Sequence, residues 1–383
     1  MTASSAPGSR RTVLAATVTP LASILGSGLL IIVPVLERTL GSLSVFGAIA
    51  ICAVAWLVGT VIRHNVVVVE HHEAAGTLDG ATARLGRFAD AVIVLAYVIS
   101  VALYLRIMAQ YVVALFDPAG SALWERVIAC VAVAVIVGIG ATRGFAGLDL
   151  LDRVSLGAVL LLILLLGSIL LVKDGGAVAS GSLALPPVPS ADPLSTILIL
   201  GGLVITVQGF ETVRYLGAEF DRPTRVRASR VAQLVSAGLY IGFVAVATPV
   251  MGLGTSAGAD NTLLDITGRI LPWLAVPLVL SAVLSQFSAA IADTAAADGN
   301  LRGINRWFTG RRPYYLSGAA AILLAATVPT FTIVAVASRA FAAYYALQAV
   351  IALRTSRGSW RKIGFGMLAL VMLAITLFAQ PVG

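Results

Sequence analysis

Charge is scarce in this chain: 11% of its 383 residues are Asp, Glu, Lys or Arg, against about 25% in soluble globular domains. Hydrophobic residues make up 59% and mean hydropathy is +0.97. That balance excludes an ordinary soluble fold and points to a polytopic membrane protein. The two cysteines, Cys52 and Cys130, both fall inside apolar runs. A disulfide framework is therefore not expected, and both read as small core residues. There is no Cys-x-x-Cys pair and no phosphate-binding P-loop, so no haem, flavin or nucleotide site is expected and no cofactor is assigned. Histidine is limited to His64, His71 and His72, which share a segment with Glu70 and Glu73. These are metal-ligand types, but the segment reads as a hydrated loop, and it has no adjacent nucleophile that would make it catalytic. A cleavable leader is not expected either: Arg10 and Arg11 run straight into a full-length span. The net charge of +8 and pI near 9.9 do not call for a nucleic-acid partner. The charges sit at the ends of apolar runs, as in the basic loops of membrane proteins.

A spanning helix needs about 20 apolar residues. By that rule about eleven spans are expected, near 12–36, 41–63, 84–116, 122–141, 150–172, 194–220, 229–254, 270–296, 313–328, 331–353 and 361–380. Most of the 26 lysines and arginines then fall on one side. The positive-inside rule puts the N-terminus in the cytoplasm and, after an odd number of spans, the C-terminus outside the cytoplasmic membrane. Residues 1–11 form a cytoplasmic tail. Residues 174–193, rich in Gly, Ser and Pro, read as an external linker between a first half (12–173) and a second (194–353). Residues 354–383 hold the eleventh span and the external C-terminus.

Two spans carry what a simple anchor avoids. Span 1 contains Ser23-Ile24-Leu25-Gly26-Ser27-Gly28, and span 6 contains Gln208-Gly209-Phe210-Glu211. Interrupted helices at matching positions of two halves mark the midplane site of secondary transporters. Five spans per half is odd, so the halves enter the membrane from opposite sides as an inverted repeat. The expected fold is all-α, with spans 1–5 and 6–10 as that repeat and with helices 1 and 6 broken.

These residues resemble the amino acid–polyamine–organocation (APC) superfamily of permeases. The glycine-rich stretch of span 1 is similar to that superfamily's I-G-x-G-I pattern. Span 6 and its exit, Gly217-Ala218-Glu219-Phe220-Asp221-Arg222-Pro223-Thr224-Arg225, are similar to its aromatic, acidic and N-P-x-R run. The resemblance implies alternating access and a small organic substrate, most often an amino acid or amine. It also implies where a coupling cation would sit: on carbonyls near Ala22 and on hydroxyls of span 8. Here span 8 offers Ser285, Ser288 and Asp293 as ion-coupling candidates beside Ala22, with Ala289 where a second adjacent hydroxyl is expected. The lysine that replaces the cation in some proton-coupled relatives is absent near Val159. The coupling ion is therefore open: a proton, sodium or none.

The substrate-binding candidates are Ala22, Ser23, Ile24, Gly26, Ser27, Gly28, Tyr104, Gln208, Gly209, Phe210 and Glu211. Amides after a span 1 break suit a carboxylate, and carbonyls before it suit an ammonium or cation. Gly26 and Gly28 permit close approach of a ligand, or simply of another helix. Phe210 is a lid or a core aromatic, and Tyr104 a substrate hydrogen-bonder or a structural tyrosine. Glu211 either pairs with Arg214 on the same helix face or acts on substrate or proton. Arg106 and Arg339 lie about 15 Å inside the membrane by a rise of 1.5 Å per residue, with Asp293 and Glu211 as expected partners. Glu219 and Asp221 read as a latch for nearby arginines, and Tyr344, Tyr345 and Gln348 as weaker candidates. The leading reading is a secondary transporter for a small amino acid or related amine. An inorganic cation permease of the same fold, for potassium or a divalent metal, comes second. It is disfavoured by a span 1 break that holds only Ser and Gly. A membrane enzyme or sensor comes last.

Overall fold

The computed structural model describes residues 10–117, 120–144, 149–190, 192–251, 264, 267–268, 271–305 and 307–380, leaving aside the side chains of Ser27, Leu29, Asp149, Leu150, Asp152 and Ile205. Among the described residues all regular structure is helical, which lets an apolar chain pair its own N–H and C=O groups within each segment. Eleven α-helices follow in order among them: α1 (Arg10–Leu40), α2 (Ser44–Ala74), α3 (Gly80–Ala114), α4 (Ala122–Arg143), α5 (Asp149–Ala179), α6 (Pro193–Gly202), α7 (Arg222–Met251), α8 (Ala275–Ile304), α9 (Arg312–Thr327), α10 (Thr330–Thr355) and α11 (Ser359–Phe378). They fall on the eleven expected spans, and eight stretches are long and apolar enough to cross a membrane.

Helix ends depart from expectation where polar residues prolong or start a turn. α2 runs on to Ala74, so His64, Glu70, His71 and His72 are helical and not in a loop. No cluster of three or more potential metal ligands occurs among the described residues. α5 continues past Lys173 to Ala179, which shortens the expected linker. Aspartates set three helix starts, each accepting from the first free amides. Asp79 caps α3 through Ala81 and Thr82, Asp192 caps α6 through Ser195, and Asp221 caps α7 through Thr224.

The two spans expected to be broken behave differently. Span 6 is interrupted: after α6 the chain winds as short 3-10 segments, Val204–Val207 and Phe210–Ala218, separated at Gln208 and Gly209. Gly209 has φ +124°, and a Cβ there would lie 2.6 Å from Ser23 Oγ and 2.8 Å from the Ile24 amide. Only glycine satisfies both the conformation and the contact. In contrast, α1 is one helix from Arg10 to Leu40 through Gly26-Ser27-Gly28, which corrects the expected break. Its glycines serve close packing. A Cβ on Gly28 would lie 1.7 Å from the Thr206 carbonyl oxygen, and one on Gly26 would touch Ala289 at 3.4 Å. The side chain of Ser27 is outside the described residues.

One group of helices comprises α1, α2, α7 and the sixth span; a second comprises α3, α4, α8 and α9, with α5 and α10 bridging them. Contacts recur when each helix is exchanged for the one five places away. α1 meets α5 as α6 meets α10, α3 meets α10 as α8 meets α5, and α2 meets α10 as α7 meets α5. The two five-span halves therefore make equivalent contacts. α11 lies outside this scheme, against α10.

Two outcomes are expected. Gly28→Ala should destabilise the folded protein by about 1–3 kcal/mol or more through overpacking, whereas Gly138→Ala, with open space around its Cβ position, should leave the melting midpoint in detergent within error. At the end of α10, Arg354 bonds the Asp79 carboxylate at 3.1 Å. The Thr82 hydroxyl and amide, with Arg354, pull the Asp79 carboxyl from its ordinary 3.8 down to about 2. A folded value below the unfolded one means that the clasp contributes fully above about pH 4 and is lost as pH falls towards 2. The gap in melting midpoint between the protein and its Asp79→Asn variant should thus hold from pH 7 to about 4 and narrow below.

Candidate functional site

Asp90, Tyr97, Ser100 and Tyr104 recur at helical spacing along α3 and give an apolar span one polar face. That face meets α8, the sixth span and α10. Gln208 donates from Nε2 to the Tyr104 hydroxyl at 2.5 Å. Ser100 and Tyr104 both donate to Asp293. Glu211 Oε2 accepts from the Gly209 amide and from the Tyr345 hydroxyl, each at 2.9 Å, while Oε1 has no hydrogen-bond partner. Glu211 and Asp293 are 0% and 2% exposed. They are close enough to act on each other electrostatically. Among the described residues, no arginine or lysine forms an ion pair with either. The cluster is therefore acidic, ringed by neutral donors, and has one carboxylate oxygen to spare.

Four candidates from the sequence, Tyr104, Gln208, Glu211 and Asp293, meet here. Phe210 stacks on Tyr345, with centroids 5.5 Å apart and planes at 20°, as a buried wall of the cluster. Ser23 and Ile24 of α1 lie against Gly209, while Ala22 is half-buried beside them. The α1 carbonyls are claimed from other spans: Tyr240 sits 2.8 Å from both Ile24 O and Thr206 O, and Gln286 donates to Gly26 O. Ser285 bonds the carbonyl of Ala282 in its own helix at 3.1 Å, and Ser288 is buried nearby. Ser100, Tyr240 and Gln286 escaped the sequence reading. The α3 spacing exposes Ser100 as part of a polar face, but nothing local marks the other two.

The expected pairings of the buried arginines are corrected. Arg106 approaches Glu125 of α4 at 3.6 Å and Thr330 of α10 at 3.4 Å, not Asp293 or Glu211. Arg339 donates from Nε to the Ala379 carbonyl at 2.9 Å, at the end of α11. Arg214 turns from Glu211 to Tyr344, 2.8 Å away, and to Asp90 at 3.9 Å. For Arg106 and Arg339 the flexible stem carries the guanidinium towards helix ends, where its desolvation is smaller; Arg214 keeps mid-helix partners. Glu219 is exposed and forms no latch, and Asp221 serves as a cap. The latch is Glu70, which takes Arg225 through both carboxylate oxygens at 3.0 and 2.5 Å and Arg222 at 3.7 Å. Arg225 also donates to the Val213 carbonyl at 3.1 Å, tying α2 and α7 to the sixth span.

A cavity of about 410 Å³ opens at the face where α2 ends, lined by Glu70, Glu73, Asp90, Arg214, Asn300 and Gln348 among others. It reaches Arg214, one helical turn from Glu211. At the opposite face the space beside Ile31, Gln110 and Thr330 is only about 10 Å³, under the Arg106–Glu125–Thr330 contacts. Among the described residues, the larger of these two spaces thus opens at the face where α2 ends and reaches towards the acidic cluster.

An interrupted span, a buried polar cluster at its interruption and a vestibule that reaches towards it define a helical membrane transporter. The chain belongs to the APC superfamily of transporters: the family model described as APC superfamily transporter matches residues 8–379. A protein of Aquifex aeolicus (strain VF5), described as uncharacterized, is 30% identical over 374 residues, covering 95% of this chain and 90% of its own length. Among solved structures, MhsT in complex with L-phenylalanine is similar at 14% identity and TM-score 0.65, covering 98% of this chain and 99% of its own. A point mutant of the Eremococcus coleocola manganese transporter is similar at 13% identity and TM-score 0.63, covering 98% of this chain and 88% of its own. At those identities the likeness is one of fold. The family that matches is one of transporters and not of enzymes, as expected from the sequence.

Removing one partner of a buried ion pair costs about 3–5 kcal/mol. Arg225 is 4% exposed and Glu70 23%, so Glu70→Gln should cost somewhat less, about 2–3 kcal/mol. Arg222→Gln, on the wetter and longer contact, should cost under about 1 kcal/mol. Unfolding of both variants in one detergent checks the order.

Proposed function

We propose that the chain is a secondary transporter of a small amino acid or related amine, working by alternating access in the cytoplasmic membrane with its N-terminus inside. The observation that carries this reading is the acidic cluster. Glu211 and Asp293 sit buried without a basic partner among the described residues, and Glu211 Oε1 lacks a donor. A substrate ammonium supplies both the charge and the donor that this oxygen lacks. Tyr104 and Gln208 would fix its orientation, and the Phe210–Tyr345 stack would face its apolar part. The reading moves the recognised group: with α1 continuous, the ammonium site on spans 6 and 8 replaces a carboxylate site on span 1 amides. Movement at Gly209, where the sixth span is interrupted, would alternate the exposed face, with the Glu70–Arg225 latch and the Arg106–Glu125 contact closing opposite ends. A proton, sodium or no ion at all couples to the substrate.

The second reading, an inorganic cation permease, draws on the same oxygen-rich cluster. Purified protein titrated with amino acids, amines, potassium and manganese, read by melting shift, separates the two. Uptake into liposomes under imposed proton or sodium gradients then identifies the coupling ion. An amine or amino acid should stabilise the protein and be transported. Charged hydrogen bonds contribute about 1.5–3 kcal/mol, so Glu211→Gln and Asp293→Asn should each lower uptake roughly tenfold or more. Response to the metal ions alone, or full transport by Glu211→Gln, defeats the proposal.

A further inference from the structure

A second cavity, about 790 Å³, opens at the face where α2 ends, between α2, α7 and the turn from α10 to α11. Its apolar walls include Val67, Val68 and Val226, and its polar groups are His64, His71, His72, Arg222, Arg357 and Arg361, with no carboxylate among the lining residues. Arg222 is held by Glu70, 3.0 Å from its carbonyl and 3.7 Å from its carboxylate. Arg357 and Arg361 are exposed and form no ion pair among the described residues. Three guanidiniums around one space repel each other unless an anion enters, and guanidinium forks match phosphate oxygens.

The surroundings say where that anion comes from. Trp360, beside Arg361, is 86% exposed, the placement of an aromatic anchor at headgroup level. From there α11 continues with Ile363, Met367 and Leu370 exposed, an apolar surface for acyl chains. We propose that this cavity binds the phosphate headgroup of an anionic phospholipid, independently of the transport site. Basic pockets between spans at one membrane face suit such headgroups.

Purified full-length protein in uncharged detergent is titrated with phosphatidylglycerol, phosphatidylcholine or inorganic phosphate, with bound lipid counted by native mass spectrometry and stability read by melting. Phosphatidylglycerol should bind saturably and raise the midpoint, and phosphatidylcholine should not. Each arginine at a membrane surface contributes roughly fivefold in affinity, so Arg357→Gln with Arg361→Gln should weaken phosphatidylglycerol binding about thirtyfold. Without lipid, that double variant should melt as the parent does. Arg126→Gln, at the opposite face, should retain full binding. Unchanged binding by the double variant, or equal stabilisation by phosphatidylcholine, overturns the proposal. So does a full response to inorganic phosphate that competes with the lipid, which assigns the cavity to a soluble anion.

Discussion

The interruption of the sixth span leaves backbone groups that hydrocarbon cannot satisfy, and much of the interior is arranged around them. The hydroxyl of Tyr240 lies between the carbonyls of Thr206 and Ile24, so one phenol fastens the interruption to α1. Glu211 turns back to receive the Gly209 amide, and Thr212 donates to the Gly209 carbonyl at 2.7 Å. A glycine on each side of the contact lets the chains meet: Gly28 under Thr206, Gly209 over Ser23. An unpaired amide or carbonyl in lipid costs several kcal/mol. These tertiary bonds are therefore conditions for the interruption to exist.

The same arrangement separates charge by depth. Near the interruption the ionisable groups are carboxylates held by Ser, Tyr and backbone donors. Arg106 and Arg339 are drawn towards helix ends, by Glu125 and Thr330 and by Ala379 O, whereas Arg214 is held by Tyr344 and Asp90, and Arg63 is buried against Gln233 and Ser229. Among the described residues, no arginine or lysine pairs with Glu211 or Asp293. The vestibule follows this division, stopping at Arg214 and short of Glu211.

How legible this was depends on the range of the signal. Spans, their number and the irregularity of the sixth are local properties, visible in apolar run length and in Gln208-Gly209-Phe210-Glu211. The α1 glycines were ambiguous in principle. Gly-Ser-Gly is compatible with an opened helix or with close packing, and only the position of Thr206 decides. Partner choice was the least legible. Glu211 and Arg214 share a helix face, yet tyrosines from α10 reach both and part them. Glu70 looked like one charge in a polar run, and its role appears only when α2 extends to Ala74 beside Arg225. Such pairings join residues more than a hundred positions apart, where spacing along the chain carries no information.

The bond from Arg339 to the Ala379 carbonyl gives the last helix a place in the mechanics. α11 stands outside the repeated halves, and its length and apolarity alone would make it a passive anchor. The Ala379 carbonyl at its end nevertheless accepts from a guanidinium of α10, the helix that also carries Tyr344 and Tyr345. α10 and α11 are thereby tied by a side-chain bond as well as by their packing. Any movement of α10 would thus carry the exposed apolar face of α11, Met367 and Leu370 included, through a bond remote from the acidic cluster.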